Sequence, residues 1–154
     1  MNDWYRRLLS FFIESNKPIY SEIDKVVQKF RNNKNEDVLI KEGWGRLAGY
    51  EVNRFIEYNK DGILSIYYDA KGKVNKNLRL FKNKNFKIKK IKKEFARENE
   101  KWYRISSGEK SFEFGYYYSK RNDITFMIFD VKLEDLVEEF LRAIKKYEEY
   151  LFRE

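Results

Sequence analysis

Short runs in which apolar and polar residues alternate fill the middle of this chain, and they constrain its fold more than any other feature. Residues 50–58 and 63–69 form two such runs on either side of Asn59-Lys60-Asp61-Gly62. Alternation with a period of two is typical of strands that bury one face. A short glycine-containing loop between two such runs predicts a β-hairpin. The sequence therefore predicts an antiparallel sheet.

Further strands are expected where β-forming residues lie between short turn sequences. We predict them at residues 74–81, 86–91, 101–106, 112–118 and 124–129. The run at residues 124–129 is apolar on both faces, which predicts a central strand covered on both sides. The expected sheet has about six or seven strands, connected as an antiparallel meander.

Three helices are predicted to flank these strands. Two lie near the N-terminus, at residues 3–14 and from about residue 21 onward, and one long helix spans residues 132–152. Each has apolar residues at helical spacing; for the second helix these are Ile23, Val26, Val27 and Phe30. A group of strands separated in sequence from the helices indicates an α+β fold. We expect a single α+β domain over residues 1–154, with the C-terminal helix packed on the sheet.

The absence of two residue types excludes several kinds of functional site. The 154 residues include no Cys and no His. Disulfides, thiolate metal sites, catalytic triads with histidine and histidine-based zinc sites are therefore excluded. No apolar segment is long enough to span a membrane or to serve as a signal peptide. We expect a cytoplasmic protein without a cofactor or a membrane partner.

Residues 71–93 contain eleven basic residues and no acidic residue. The chain as a whole has 33 basic and 25 acidic residues, so 22 basic and 25 acidic residues lie elsewhere, with a net charge of −3. Positive charge concentrated in this way is typical of a surface for a polyanion. The residues that we expect to bind the polyanion are Lys71, Lys73, Lys76, Arg79, Lys82, Lys84, Lys87, Lys89 and Lys90.

Several interpretations of this segment stay open. The leading one is a non-catalytic module that binds a nucleic-acid backbone through a strip of lysines along one sheet region, with Tyr117 or Phe81 exposed for stacking on bases. Lysines on an edge strand also prevent sheets from pairing edge to edge. A third interpretation is a small inhibitor of the immunity or anti-defence type that binds an acidic protein surface. Trp44, in a predicted glycine-rich loop, and Tyr117 are candidate anchors of such an interface.

A metal-dependent activity is a further alternative. Asp61 precedes Asp69-Ala70-Lys71 by eight residues. This spacing resembles the PD-(D/E)xK nuclease superfamily, in which an Asp is followed by a strand that ends in (D/E)-x-K. The resemblance implies that Asp61 and Asp69 bind Mg²⁺ and that Lys71 is the catalytic lysine. The same residues also have the composition of two turns, Asp61-Gly62 and Lys71-Gly72.

Overall fold

The computed structural model describes residues 23–32, 38–47, 50–59, 61–82, 84–94 and 96–151. Of residues 38–47 and 50–53, the structure describes the backbone only. The helix predicted at residues 3–14 lies outside the described residues. None of the helices in the described ranges combines the length and apolar character that crossing a membrane requires.

The described residues form one sheet of seven antiparallel strands in the order β1-β2-β3-β7-β6-β5-β4. The sheet is therefore not a simple meander. Strands β1 to β3 form one meander and β4 to β7 form another, and the two are joined where β7 pairs with β3. The most apolar strand, β7, is the central one, as its sequence predicts, but it is not covered on both sides, since buried and half-exposed residues alternate along it. The strands are β1 Val38–Leu47, β2 Tyr50–Tyr58, β3 Ile63–Lys71, β4 Lys87–Ile91, β5 Lys101–Ser107, β6 Lys110–Ser119 and β7 Ile124–Lys132.

The sheet has two unlike faces, because successive side chains along a strand point in opposite directions. One face, which we call the core face, carries the buried residues of the central strands, including Ile66, Phe114 and Phe129. The other, the open face, carries half-exposed residues such as Tyr67, Phe126 and Ile128. The helices and the connection between β3 and β4 all contribute to the core cluster. They therefore cover the core face.

Helix α1 (Ile23–Asn32) buries the apolar stripe that the sequence predicts. The ring of Phe30 stacks on that of Tyr58, with 5.5 Å between their centroids. Asp24 accepts from Lys145 at 3.1 Å, and this pair joins α1 to the C-terminal helix. The second predicted helix is therefore confirmed, although its start lies at the edge of a described range.

Helix α3 (Glu138–Leu151) begins six residues later than the sequence predicts. Leu133–Asp135 form a 3-10 turn instead, and Leu136 leaves helical geometry with φ −82° and ψ 89°. The turn is held because the Leu133 N–H donates to the Gly62 carbonyl at 3.1 Å. Within α3, Arg142 forms an ion pair with Glu138, one turn earlier, at 3.4 Å.

The prediction of a strand at residues 74–81 is wrong, because this segment leaves the sheet. We call residues 72–86 the crossover; it includes only a short helix, α2 (Arg79–Lys82). The chain turns away at Gly72, whose φ of 88° strongly favours glycine. The crossover lies on the core face, where Phe81 is fully buried. Phe81 is therefore not an exposed stacking residue, contrary to the expectation from sequence.

Candidate anion-binding site

The basic residues of segment 71–93 are divided between the two faces of the sheet. Lys71 lies at the end of β3, and Lys87 and Lys89 project from the open face of the edge strand β4. Lys90, opposite Tyr103, projects from the core face. Arg79, Lys82 and Lys84 are exposed in and just after α2. A continuous strip of lysines along one sheet region therefore does not form.

A smaller group of basic residues does come together, at the end of β6. A cavity of about 550 Å³ is lined by Tyr116, Tyr117, Tyr118, Asn99 and Ser119 together with the basic residues Lys73, Lys76, Lys101, Lys120 and Arg121. We call this cavity, with Lys90 beside it, the lysine–tyrosine site. Lys101 is the first residue of β5 and pairs with Tyr116, so residues 117–119 have no partner in β5. The site occupies this gap in the sheet.

Four side-chain hydroxyls, two from the sheet and two from α3, hold the crossover and with it Lys73 and Lys76. Three tyrosines donate to consecutive carbonyls: Tyr116 to Val74 at 2.8 Å, Tyr150 to Asn75 at 2.7 Å, and Tyr147 to Lys76 at 2.5 Å. The Thr125 hydroxyl accepts from the Val74 N–H at 2.9 Å and donates to the Gly72 carbonyl at 2.7 Å. The backbone groups of an irregular segment are thereby satisfied without a neighbouring strand.

The two crossover lysines lie over tyrosine rings. The Lys76 Nζ is 5.3 Å from the centroid of Tyr116, and the Lys73 Nζ is 5.6 Å from that of Tyr118. Burial lowers the pKa of Lys76, and repulsion from Lys101, Lys90 and Lys73 lowers it further. These like charges are thus close enough to repel one another.

Carboxylates do not neutralise this group within the described residues. Lys73, Lys76, Lys90 and Lys101 have no ion pair there, although Lys93, just after β4, and Arg104 and Lys110 in the sheet do. The acidic residue Asp123 contacts a lining residue of the site, since its carboxylate accepts a hydrogen bond from the Tyr118 hydroxyl at 2.6 Å. This hydrogen bond is the main reason why the pKa of Tyr118 is raised. An anion that entered the site would relieve the repulsion between the lysines.

The other candidate anchors lie elsewhere. Trp44 is part of β1, opposite Asn53, rather than in a glycine-rich loop, and the pairing shifts by one residue between Lys41 and Trp44. Its side chain is outside the described set. Tyr117 is half-buried on the open face, where its ring stacks on Phe126 at 6.1 Å between centroids. Tyr117 is thus the candidate that borders the lysine–tyrosine site.

Sequence reasoning missed Lys101, Lys120 and Arg121, since all three lie outside segment 71–93. Lys120 and Arg121 immediately follow the run Tyr116-Tyr117-Tyr118-Ser119. Basic residues next to a tyrosine run are a signal that could have indicated them. Lys101 has no such local signal, because only the pairing of β5 with β6 brings it to the site.

The residues of the nuclease-like motif are not brought together. Asp61 is exposed in the turn before β3, where its N–H donates to the Asn59 side chain at 3.1 Å. Asp69 and Lys71 lie at the far end of β3, about 20 Å away at the rise of an extended strand. Asp61 and Asp69 therefore do not share one metal ion. In the described ranges, no three acidic residues are grouped as metal ligands.

Asp69 itself is unusual, because it is half-buried on the open face without a described hydrogen-bond donor. Burial raises the pKa of this carboxyl. The native state then binds its proton more tightly than the unfolded state, so the contribution of Asp69 to stability falls as pH rises from about 4 through the raised pKa. At neutral pH the ionised carboxylate is destabilising.

We therefore expect Asp69→Asn to raise the free energy of unfolding at pH 7 and to leave it nearly unchanged at about pH 3.5, where both side chains are neutral. Denaturant titrations at the two pH values measure the difference. Glu109→Gln, in the exposed turn between β5 and β6, is the control and should change neither value. An equal gain at both pH values would contradict the role given to the carboxylate charge.

No protein-family model matches the chain, and neither a curated protein nor a solved structure matches it. The chain's own residues and their geometry therefore carry the functional argument.

Proposed function

We propose that the protein is a non-catalytic module that binds the phosphates of a nucleic acid at the lysine–tyrosine site. One observation carries this proposal: Lys73, Lys76, Lys90 and Lys101 converge there without a carboxylate partner in the described part of the chain. Keeping like charges together costs free energy in the empty site. Binding of phosphates recovers that energy and releases the counterions of the nucleic acid.

The residue types favour contact with the backbone over reading of sequence. A lysine ammonium contacts phosphate as a point charge, whereas recognition of a base edge typically uses the planar fork of arginine. Five lysines and one arginine line or flank the gap beside residues 117–119, where a chain of phosphates can pass. We therefore expect binding without strong sequence preference.

The double variant Lys73→Gln/Lys76→Gln tests this assignment. For single strands, each neutralised phosphate contributes about 0.7 to the slope of log K against log salt concentration. If each lysine contacts one phosphate, the variant should lower the magnitude of that slope by about 1.4. Fluorescence anisotropy with a labelled single-stranded oligonucleotide, at several salt concentrations between about 50 and 200 mM, measures the slope.

Lys87→Gln/Lys89→Gln is the matched control, since it removes two charges from the same segment but from the open face of β4. This variant should keep most of the wild-type slope. An equal loss of slope in both variants would show that overall charge, rather than the lysine–tyrosine site, drives binding. If the wild type binds no oligonucleotide even at low salt, the proposal is wrong, and an acidic protein surface becomes the partner to seek by pull-down.

A further inference from the structure

A second cavity adjoins the lysine–tyrosine site on the open face of the sheet. It has a volume of about 390 Å³, and its walls are mostly aromatic or apolar. We call it the aromatic groove; its main lining residues are Tyr67, Asp69, Trp102, Tyr117, Phe126 and Ile128. Cavities of this size, largely apolar with a few polar groups, are typical of sites for small molecules or parts of larger ones.

The groove depends on Gly115. A Cβ at this position would lie 2.7 Å from the Trp102 ring and 2.8 Å from the Ile128 side chain. The indole therefore lies directly over the glycine backbone, where no other residue leaves room for it. Above Trp102, the Lys93 Nζ is 5.0 Å from the ring centroid, and the same ammonium group forms an ion pair with Glu113.

The two cavities are continuous in the fold. Tyr116 and Tyr117 line both of them. The chain that leads into β5 also alternates between them, since Asn99 and Lys101 border the lysine–tyrosine site while Arg97 and Glu100 border the groove. A ligand that places an anionic group at the lysines can therefore extend into the groove past Tyr117.

The chemistry of the groove suits a nucleobase better than a phosphate. The Asp69 carboxylate repels anions and has no described donor, so it can accept a hydrogen bond from a ring or amino N–H of a base. Arg97 places its guanidinium 4.8 Å from the centroid of Tyr117. Aromatic rings and guanidinium planes are the surfaces on which proteins stack unpaired bases.

We infer that the aromatic groove receives an unpaired base from the nucleic-acid strand whose phosphates lie in the lysine–tyrosine site, so that the partner is single-stranded. This inference rests on the proposed function, because the phosphates position the base. In a duplex the bases are stacked and paired, and none can enter the groove without being flipped out. Single strands should therefore bind more tightly than duplexes of the same length and sequence.

An oligonucleotide with abasic sites provides the sharpest test, because it keeps the phosphates and removes the bases. We expect a fully abasic strand to bind the wild type about tenfold or more weakly than the same strand with bases. Phe126→Leu, at a residue that lines the groove but not the lysine–tyrosine site, should weaken binding of the normal strand about tenfold and leave binding of the abasic strand unchanged. Tyr67→Leu, also confined to the groove, is a second variant with the same expectation, in case the first variant does not fold.

The outcomes separate this inference from the proposed function. If abasic and normal strands bind equally tightly with a steep salt dependence, the groove receives no base, while phosphate binding stands. Equal binding of single strands and duplexes would likewise overturn the inference alone. If neither strand binds, both proposals are wrong.

Discussion

Replacing Glu148 with leucine is expected to lower the free energy of unfolding by about 3–5 kcal/mol. Glu148, on α3, forms an ion pair with Arg54 of β2, whose side chain is fully buried. The Tyr68 hydroxyl donates to the same carboxylate at 3.0 Å. The variant removes the Glu148 carboxylate from the buried Arg54 charge, and the cost of breaking a buried pair from one side is far larger than the net value of the pair.

Equilibrium denaturation of the variant measures this effect, and a double variant is its control. Arg54→Met/Glu148→Leu replaces both charges with apolar side chains of similar length and should recover most of the lost stability. Glu148→Leu with a loss below about 1 kcal/mol, a value typical of an exposed pair, would show that Arg54 is not isolated from water.

Phe81→Ala is expected to cost about 3–5 kcal/mol, since it removes a fully buried aromatic ring. Phe81 stacks on Tyr147 with 5.4 Å between centroids and an angle of 4°. Its ring is also close to Phe112, Phe114 and Phe129, at 5.7, 6.2 and 6.1 Å between centroids. These contacts are with β6, β7 and α3, so the ring holds the crossover to the rest of the core.

The matched control is Leu80→Ala, because Leu80 is the neighbouring residue in α2 and is half-buried, whereas Phe81 is fully buried. It should cost about 1 kcal/mol, because less apolar area returns to water. Thermal or denaturant unfolding compares the two variants. Similar costs for both would contradict the view that Phe81 is the main anchor of the crossover.

The sequence predicted the regular elements well where one periodicity dominated. The strand at residues 50–58 has the predicted bounds, and the buried stripe of α1 is the predicted one. The apolar character of residues 124–129 also indicated the central position of β7. In these segments the pattern of burial and the local propensity agree, so tertiary packing does not override them.

The crossover was predicted wrongly for a physical reason. Val74 and Phe81 are buried and separated by polar and half-buried residues, a pattern that by itself predicts a strand. The hydrogen bonds that replace a strand partner come from Tyr116, Tyr147 and Tyr150, which are 42 to 75 residues away. Side chains so distant in sequence leave no local signal.

The candidate site was predictable in part. Lys73 and Lys76 belong to the basic segment that indicates a polyanion, and Tyr117 was a candidate for contact with bases. Alternation along a strand predicts that Lys87 and Lys89 project from the opposite face to Lys90, but the sequence does not show which of these faces is the core face, because that depends on the register of β4 with β5. Nor does it show that Lys101 joins them, because β5 and β6 must first pair.

Lysine footprinting tests the central claim most directly. The wild-type protein is treated with an amine-reactive reagent, alone and with a saturating single-stranded oligonucleotide, and modification at each lysine is quantified by mass spectrometry. Binding at the lysine–tyrosine site predicts strong protection of Lys73, Lys76, Lys90 and Lys101, with no change at Lys146 on the exposed side of α3. Protection confined to Lys87 and Lys89, or equal at all exposed lysines, would contradict the account.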